Sequence, residues 1–271
     1  MLTTTAQPQR HLYVESEMDS PELLQMSRGN VVALCRRCPD KVEPNDDSAA
    51  VVQKISGAIV LIVADGVGGC PLGYKASAIA VEAVAESVQA ADPTSDLRPA
   101  ILDGIERANR EILDLGIGAA TTLAVVEIQD GKARAYQVGD SMTLIIGQRG
   151  AMKWKSTPHS PVGYAVESGM LDEADAMHHD ERHVVSNLVG SHSMHIEIGP
   201  SRPLAARDTV IVGSDGLFDN LHLSEVIQHG KSGKPIERIN ALDKLATSRM
   251  SQSESDSPGK PDDLTVLLFT P

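Results

Sequence analysis

Four places in this sequence put aspartate at the start or end of a strand-like run: Asp46-Asp47 before one, Asp65 after one, Asp215 after another and Asp262 before a last one. Each stands beside glycine or another turn-forming residue. A carboxylate at a strand end projects from the sheet edge without burying its charge. If those ends are neighbours in space, several carboxylates converge on one cleft, and such a cluster does not stay ionised without cations. Donor sets made only of oxygen select hard ions, Mg²⁺ or Mn²⁺. Two such ions about 3.5–4 Å apart can share a carboxylate and a water, turn that water into a hydroxide nucleophile and neutralise phosphoryl oxygens. One Asp-Gly after a strand is ordinarily just a turn, and Asp130-Gly131 is read that way.

The elements that would position these groups follow from the hydrophobic pattern. Residues 1–29 are polar and read as an irregular N-terminal segment, followed by one domain over 30–271. Residues 31–34 and 49–52 predict short strands, with Pro44-Asn45-Asp46-Asp47 as the turn between them. Residues 58–64 are continuously apolar and predict a buried central strand that ends in Asp65-Gly66-Val67-Gly68-Gly69. Helical spacing of Ala76, Ile79, Ala80, Ala83, Val84 and Val88 predicts a helix over 74–90. A second covers 97–115, with Pro99 in its first turn. Residues 121–128, 133–138, 142–146 and 152–155 read as strands in tandem, which implies antiparallel pairing and argues against a doubly wound parallel sheet. A mixed, partly helical stretch follows over 158–190. Residues 209–212 form another buried strand, residues 224–228 and 235–250 helices, 251–261 a surface loop and 264–269 a closing strand. The implied class is α+β, with two packed sheets and helices outside.

The net charge of −13 repels nucleic acid and anionic membrane, while a phosphorylated substrate stays compatible because bound cations invert the local field. No stretch suits a signal peptide or a membrane span, so a cytoplasmic protein is expected. Three cysteines do not make a disulfide framework. Cys35 and Cys38 form a C-x-x-C, but a zinc site needs about four ligands, and free thiols near a strand end are the preferred reading.

The residues flanking the aspartates carry a resemblance. Val63-Ala64-Asp65-Gly66-Val67-Gly68-Gly69, with Gly73 and Ala76-Ser77 beyond it, resembles the first metal motif of metal-dependent serine/threonine protein phosphatases of the protein phosphatase 2C type. Asn45-Asp46-Asp47, Thr121-Thr122-Leu123, Val138-Gly139-Asp140-Ser141, Ser214-Asp215-Gly216-Leu217-Phe218-Asp219 and Asp262-Asp263-Leu264-Thr265-Val266 resemble that family's other motifs, in its order. Val67 stands where bacterial members carry a hydrophobic residue. The resemblance implies a four-layer α-β-β-α sandwich, two antiparallel sheets flanked by helix pairs. It implies two Mn²⁺ or Mg²⁺ ions. Asp65 would bridge them, the Gly66 carbonyl would bind the first, and Asp215 and Asp262 the second. Asp46 and Asp47 would hold bound waters, which with Asp65 makes Asp47 a catalytic candidate. Asp140 would help hold a third, weaker ion. The implied reaction is hydrolysis of phosphoserine or phosphothreonine in proteins, with a serine/threonine kinase or its targets as partners.

Several positions depart from that pattern. Asp40-Lys41-Val42-Glu43-Pro44 lacks the usual phosphate-binding Arg; Lys41 is the substitute candidate, with Arg36 or Arg37 as alternatives. Met142 replaces an Arg. Asp263 replaces an Asn and is either an added ligand or a turn cap, the turn cap being the preferred reading. Residues 157–190 resemble the family's flap, with Pro158-His159-Ser160 lacking an Asp and Asn187 in place of an Arg. His178, His179 and His183 read as solvated flap, because imidazole is not the natural ligand of a hard cation. The alternative to an enzyme is a pseudophosphatase that binds phosphoprotein or a partner; a small phosphate ester is an alternative substrate. A nucleotide-binding reading of the 65–74 turn fails: no Gly-Lys-Ser/Thr follows, and Pro71 and Leu72 break the dinucleotide spacing.

Overall fold

The structure, a computed structural model, describes residues 7–251 and 258–271. In chain order the strands β1 (Gln9–Tyr13), β2 (Glu22–Met26), β3 (Gly29–Arg36), β4 (Asp47–Gln53) and β5 (Ile59–Asp65) come first. Helices α1 (Gly73–Ala90) and α2 (Arg98–Asp114) follow, then β6 (Leu123–Gln129), β7 (Lys132–Val138), β8 (Met142–Ile146) and β9 (Met152–Lys155). Next are α3 (Pro161–Glu167), α4 (Glu173–Ala176) and the two-residue strands β10 (Glu197–Ile198) and β11 (Arg202–Pro203). The remainder is β12 (Thr209–Gly213), α5 (Asp215–Phe218), α6 (Leu223–Gly230), α7 (Pro235–Met250) and β13 (Leu264–Thr270).

Two sheets result. The first runs β1-β4-β5-β6-β7-β10, with β11 also on β7; the second runs β2-β3-β13-β12-β8-β9. The pairings are antiparallel throughout. Strand β5 shows why its sequence is apolar without alternation. Val60 and Ile62 face Val84, Val88, Ile101 and Ile105 of α1 and α2. Leu61 and Val63 face the second sheet, packing with Val31, Val212 and Leu267. The far side of the second sheet, through Val32, Leu34, Ile211 and Leu268, packs on Leu217, Leu242 and Ala246 of α5 and α7. Each sheet is therefore covered on both faces, and the four layers are α-β-β-α.

Two expectations change. Residues 1–29 are not irregular where they are described: β1 and β2 are the outer strands of the two sheets. An outer strand carries polar residues because one edge meets water, and in β2 only Leu24 and Met26 alternate inward. The tandem strands at 123–155 are not one meander either. β6–β7 is a hairpin of the first sheet and β8–β9 a hairpin of the second, so the chain crosses between sheets at Gly139-Asp140-Ser141. The predicted loop at 251–261 lies partly outside the described residues.

Lys54, just past β4, is 5% exposed and ends under the C-terminus of α1. Its ammonium donates to the carbonyls of Val88 (2.8 Å), Gln89 (2.9 Å) and Ala91 (2.6 Å). Those carbonyls sit at the negative end of the helix and lack helical partners. Lys54→Met keeps the stem and leaves the acceptors buried, so we expect a loss of about 2 kcal/mol, read as a fall of roughly 4–8 °C in Tm. An unchanged melting curve would show that the cap contributes nothing.

Candidate metal centre

The register of β4 and β5 sets Asp47 directly opposite Asp65 at the end of the first sheet. The Asp65 backbone is fixed on both sides. Its N–H donates to Thr122 Oγ1 (3.1 Å), and its carbonyl accepts from Thr121 Oγ1 and the Thr122 N–H, both at 2.8 Å. The next residue, Gly66, donates its N–H to the Asp46 carbonyl at 3.0 Å. A Cβ on Gly66 would lie 2.2 Å from the Gly73 carbonyl oxygen, so the tight return of the chain requires glycine here. A Cβ on Gly73 would lie 2.9 Å from Asp46 Oδ1 and 3.1 Å from the Gly66 carbonyl oxygen, which places those two oxygens against the same glycine.

The second sheet brings its carboxylates to the same end. β12 and β13 are neighbours; Asp215 opens α5 just after β12, and Asp262 lies just before β13. Gly216 has the same role as Gly66: a Cβ there would fall 1.8 Å from the Asp263 carbonyl. Ser214 joins the sheets. Its Oγ donates to Asp47 Oδ2 at 2.7 Å and accepts from the Thr265 N–H at 3.0 Å. Asp140 arrives from the crossing between β7 and β8. The buried His159 holds that crossing, since its Nδ1 accepts from the Gly139 N–H (3.1 Å) and from Asn187 Nδ2 (2.9 Å). Its Nε2 therefore carries the proton, toward Glu197 Oε2 at 3.0 Å.

Charge is concentrated here. Loss of hydration pushes the Asp65 carboxyl well above the usual carboxylate range, and repulsion from Asp215, Asp47, Asp262 and Asp140 adds to the shift. Asp65 thus stands at the focus of the other four. Asp47 moves the same way through burial and then Asp263, and Asp140 through burial and then Asp215 and Asp219. Burial first, with Asp215 second, pushes Asp219 up to about 6 and Asp262 up to about 7. Two lysines offset part of this. Lys41 Nζ donates to Asp46 Oδ2 (2.7 Å) and Asp263 Oδ2 (2.5 Å). Lys260 Nζ donates to Asp215 and to Asp219 Oδ2 (3.1 Å), and lies 3.1 Å from Asp262 Oδ2.

The structure therefore gathers Asp47, Asp65, Asp140, Asp215 and Asp262 at one end of the two sheets, with Asp46 beside them in a pair with Lys41. Asp263 caps no simple turn. It is buried, and its carboxylate takes the N–H groups of Cys38 (2.7 Å) and Asp46 (2.6 Å), clamping the 38–46 loop to the start of β13. Cys35 is buried in β3 and Cys38 lies in that loop, both as free thiols. His178, His179 and His183 are exposed. Sequence reading missed Asp219 and Lys260. Asp219 is one helical turn after Asp215, a spacing that places both on one side of α5; Lys260 is two residues before Asp262.

The donor set fits hard divalent ions. It is all oxygen, and Asp215 Oδ1 is buried without a hydrogen-bond partner. Among the described residues, no three His, Cys, Asp or Glu side chains form a ready-made ion cage. The chain belongs to the protein phosphatase 2C family, whose sequence model it matches over residues 36–251. Protein phosphatase PhpP of Streptococcus pneumoniae is 28% identical over 224 residues, 74% of this chain and 89% of that protein. A solved serine/threonine phosphatase of S. agalactiae superposes with a TM-score of 0.75 at 27% identity, over 89% of this chain and 98% of that one. The catalytic domain of the serine/threonine phosphatase PstP, in complex with two manganese ions, shares the fold: TM-score 0.73 and 21% identity, over 89% and 96% of the two chains.

These carboxyls make stability depend on pH when no metal is added. An unfolded Asp ionises near about 4, whereas Asp219 and Asp262 ionise at about 6 and about 7 in the fold. Between those limits the folded state binds more protons than the unfolded one, so it loses stability as pH rises through that window. In EDTA, Tm is expected to fall from pH 5 to pH 7.5. Excess Mn²⁺ reverses the fall, because ions bind the deprotonated carboxylates. A flat profile in EDTA would show that these charges are not set against one another.

Proposed function

We propose that this chain hydrolyses phosphoserine and phosphothreonine esters of proteins, with two Mn²⁺ or Mg²⁺ ions held by Asp65, the Gly66 carbonyl, Asp215 and Asp262. Asp46 and Asp47 hold waters around them, and Asp140 serves a third, weaker ion. The observation that carries the proposal is the position of Asp65, a strand-end carboxyl that feels four others from both sheets. Membership of the phosphatase family supports it, as does the manganese pair in PstP. When bound, such ions supply charge neutralisation at the phosphoryl oxygens and a water nucleophile at neutral pH.

The protein's own groups have the following tasks. Asp65, with its backbone fixed by Thr121 and Thr122, would offer its carboxylate to both ions from a rigid strand end. Asp47, held by Ser214 and made more basic by burial, would take a proton from the attacking water in this scheme. His159 does not protonate the leaving oxygen, since Gly139, Asn187 and Glu197 occupy its ring nitrogens. Lys41 has two carboxylate partners, which leaves its third donor for a substrate phosphate oxygen.

A cavity of about 330 Å³ opens beside Asp140, Asp215 and Asp219, with Val162, Val166, Met177, Phe218 and Leu221 among its walls. Such walls suit a peptide side chain next to the phosphorylated residue better than a small polar ester. A serine/threonine kinase or its targets are the partners this implies, and we place the reaction in the cytoplasm. No helix among the described residues is long and apolar enough to cross a membrane.

Purified protein with saturating Mn²⁺ is expected to hydrolyse an aryl phosphate, and Asp65→Asn to lower the rate by about a hundredfold or more. Wild-type turnover no higher than that of Asp65→Asn would sink the enzyme reading. In a substrate panel, phosphopeptides should show higher kcat/KM than free phosphoserine or sugar phosphates; the reverse order would move the substrate to small esters.

A further inference from the structure

Lys260 is the cation most deeply committed to the carboxylate cluster. Its side chain is 21% exposed, and its ammonium faces one oxygen each of Asp215, Asp219 and Asp262. An ammonium has three donors, so these three oxygens can use them all. The placement is fastened through the backbone. Lys260 N–H donates to Asn220 Oδ1 (2.8 Å), and its carbonyl accepts from Asn220 Nδ2 (2.9 Å). Asn220 is fully buried, and its Nδ2 also donates to the Gly216 carbonyl at 2.9 Å. The backbone of Lys260 is thus tied to the short helix that carries Asp215, and the side chain has little distance to cover.

Two of the three residues facing Lys260, Asp215 and Asp262, are those assigned above to the second metal. A divalent ion held by Asp262 and by Asp215, whose other oxygen Oδ1 is buried without a hydrogen-bond partner, would stand beside the ammonium, and the two cations would compete for the same carboxylates. Lys41 offers no such conflict, because Asp46 and Asp263 hold it on the other side of the cluster. Resting on the reading of Asp215 and Asp262 as metal ligands, we infer that Lys260 is a tethered internal cation that competes with the divalent ion for Asp215, Asp219 and Asp262, and so sets the metal affinity of this side of the site. Metal entry displaces the ammonium. Its outlet is open: Lys260 also borders a polar cleft under the flap, lined by His178, His179, Arg182 and His183. In the absence of metal the same ammonium restrains the repulsion between the three carboxylates, so one residue stabilises the metal-free protein and weakens metal uptake.

The test is Mn²⁺ titration by calorimetry on the full chain, with thermal unfolding in EDTA, for wild type, Lys260→Met and Lys260→Arg. Lys260→Met should bind at least one Mn²⁺ tighter by about tenfold or more and melt lower than wild type in EDTA, with Lys260→Arg staying near wild type in both. Wild-type protein that binds Mn²⁺ while Lys260→Met stays within about twofold of it overturns this inference alone. Wild type that takes up no Mn²⁺ overturns the metal-centre reading together with it. Should Lys260→Met fail to fold, acetylation of wild-type Lys260 followed by mass spectrometry decides the matter: protection in EDTA and reactivity in Mn²⁺ support displacement, and equal reactivity in both overturns it.

Discussion

The arrangement of this molecule is governed by repulsion. Asp47, Asp65, Asp140, Asp215, Asp219 and Asp262 are brought together at one end of two packed sheets, and loss of hydration pushes the carboxyls of Asp47, Asp65, Asp140, Asp219 and Asp262 upward. Nothing in the hydrophobic core requires that gathering. The core would be as well filled with neutral residues at the strand ends. The carboxylates are held against their own electrostatics by the three buried layers beneath them.

The site is consequently a joint between two bodies. Asp47 and Asp65 lie at the end of one sheet, Asp215 and Asp262 at the end of the other, and Asp140 in the crossing segment between β7 and β8. Ser214 is the small polar group that closes the joint, with one hydrogen bond to each sheet. The two lysines divide the charge. Lys41 neutralises the side nearest the 38–46 loop, and Lys260 the side nearest α5. Asp65 lies between them, and among the described residues no ion pair reaches it; the proposed metal pair would supply the charge it lacks.

Much of this was legible in the residues. The continuous run before Asp65 identified a strand buried on both faces, and Asp-Gly at residues 65–66 and 215–216 marked returns so tight that a Cβ would strike the neighbouring backbone. Asp130-Gly131 gave its hairpin. Other features left no local trace. β1 and β2 are outer strands and look like polar coil, because only one of their edges is paired. The crossing at Gly139-Asp140-Ser141 has the same composition as a hairpin turn, and local chemistry does not say which sheet receives the next strand. The distant partners of Lys41 and Lys260 were hidden for another reason: the pairings of Lys41 with Asp263 and of Lys260 with Asp215 join residues 222 and 45 positions apart, and no pattern within a short window registers them.

Strand β13 lies in the middle of the second sheet, between β3 and β12, and pairs Leu34 with Val266. During synthesis β3 leaves the ribosome early and must wait for almost the whole of this sequence before its neighbour exists. Until then the second sheet has a gap at its centre, and the interior face of the first has nothing complete to pack on. Contacts of such long sequence separation are slow to form. The nascent chain therefore exposes apolar strands for most of its synthesis, and such intermediates are the ones that aggregate or engage chaperones. Asp262 emerges directly before that strand, so completion of the sheet and completion of the carboxylate cluster are one and the same late event.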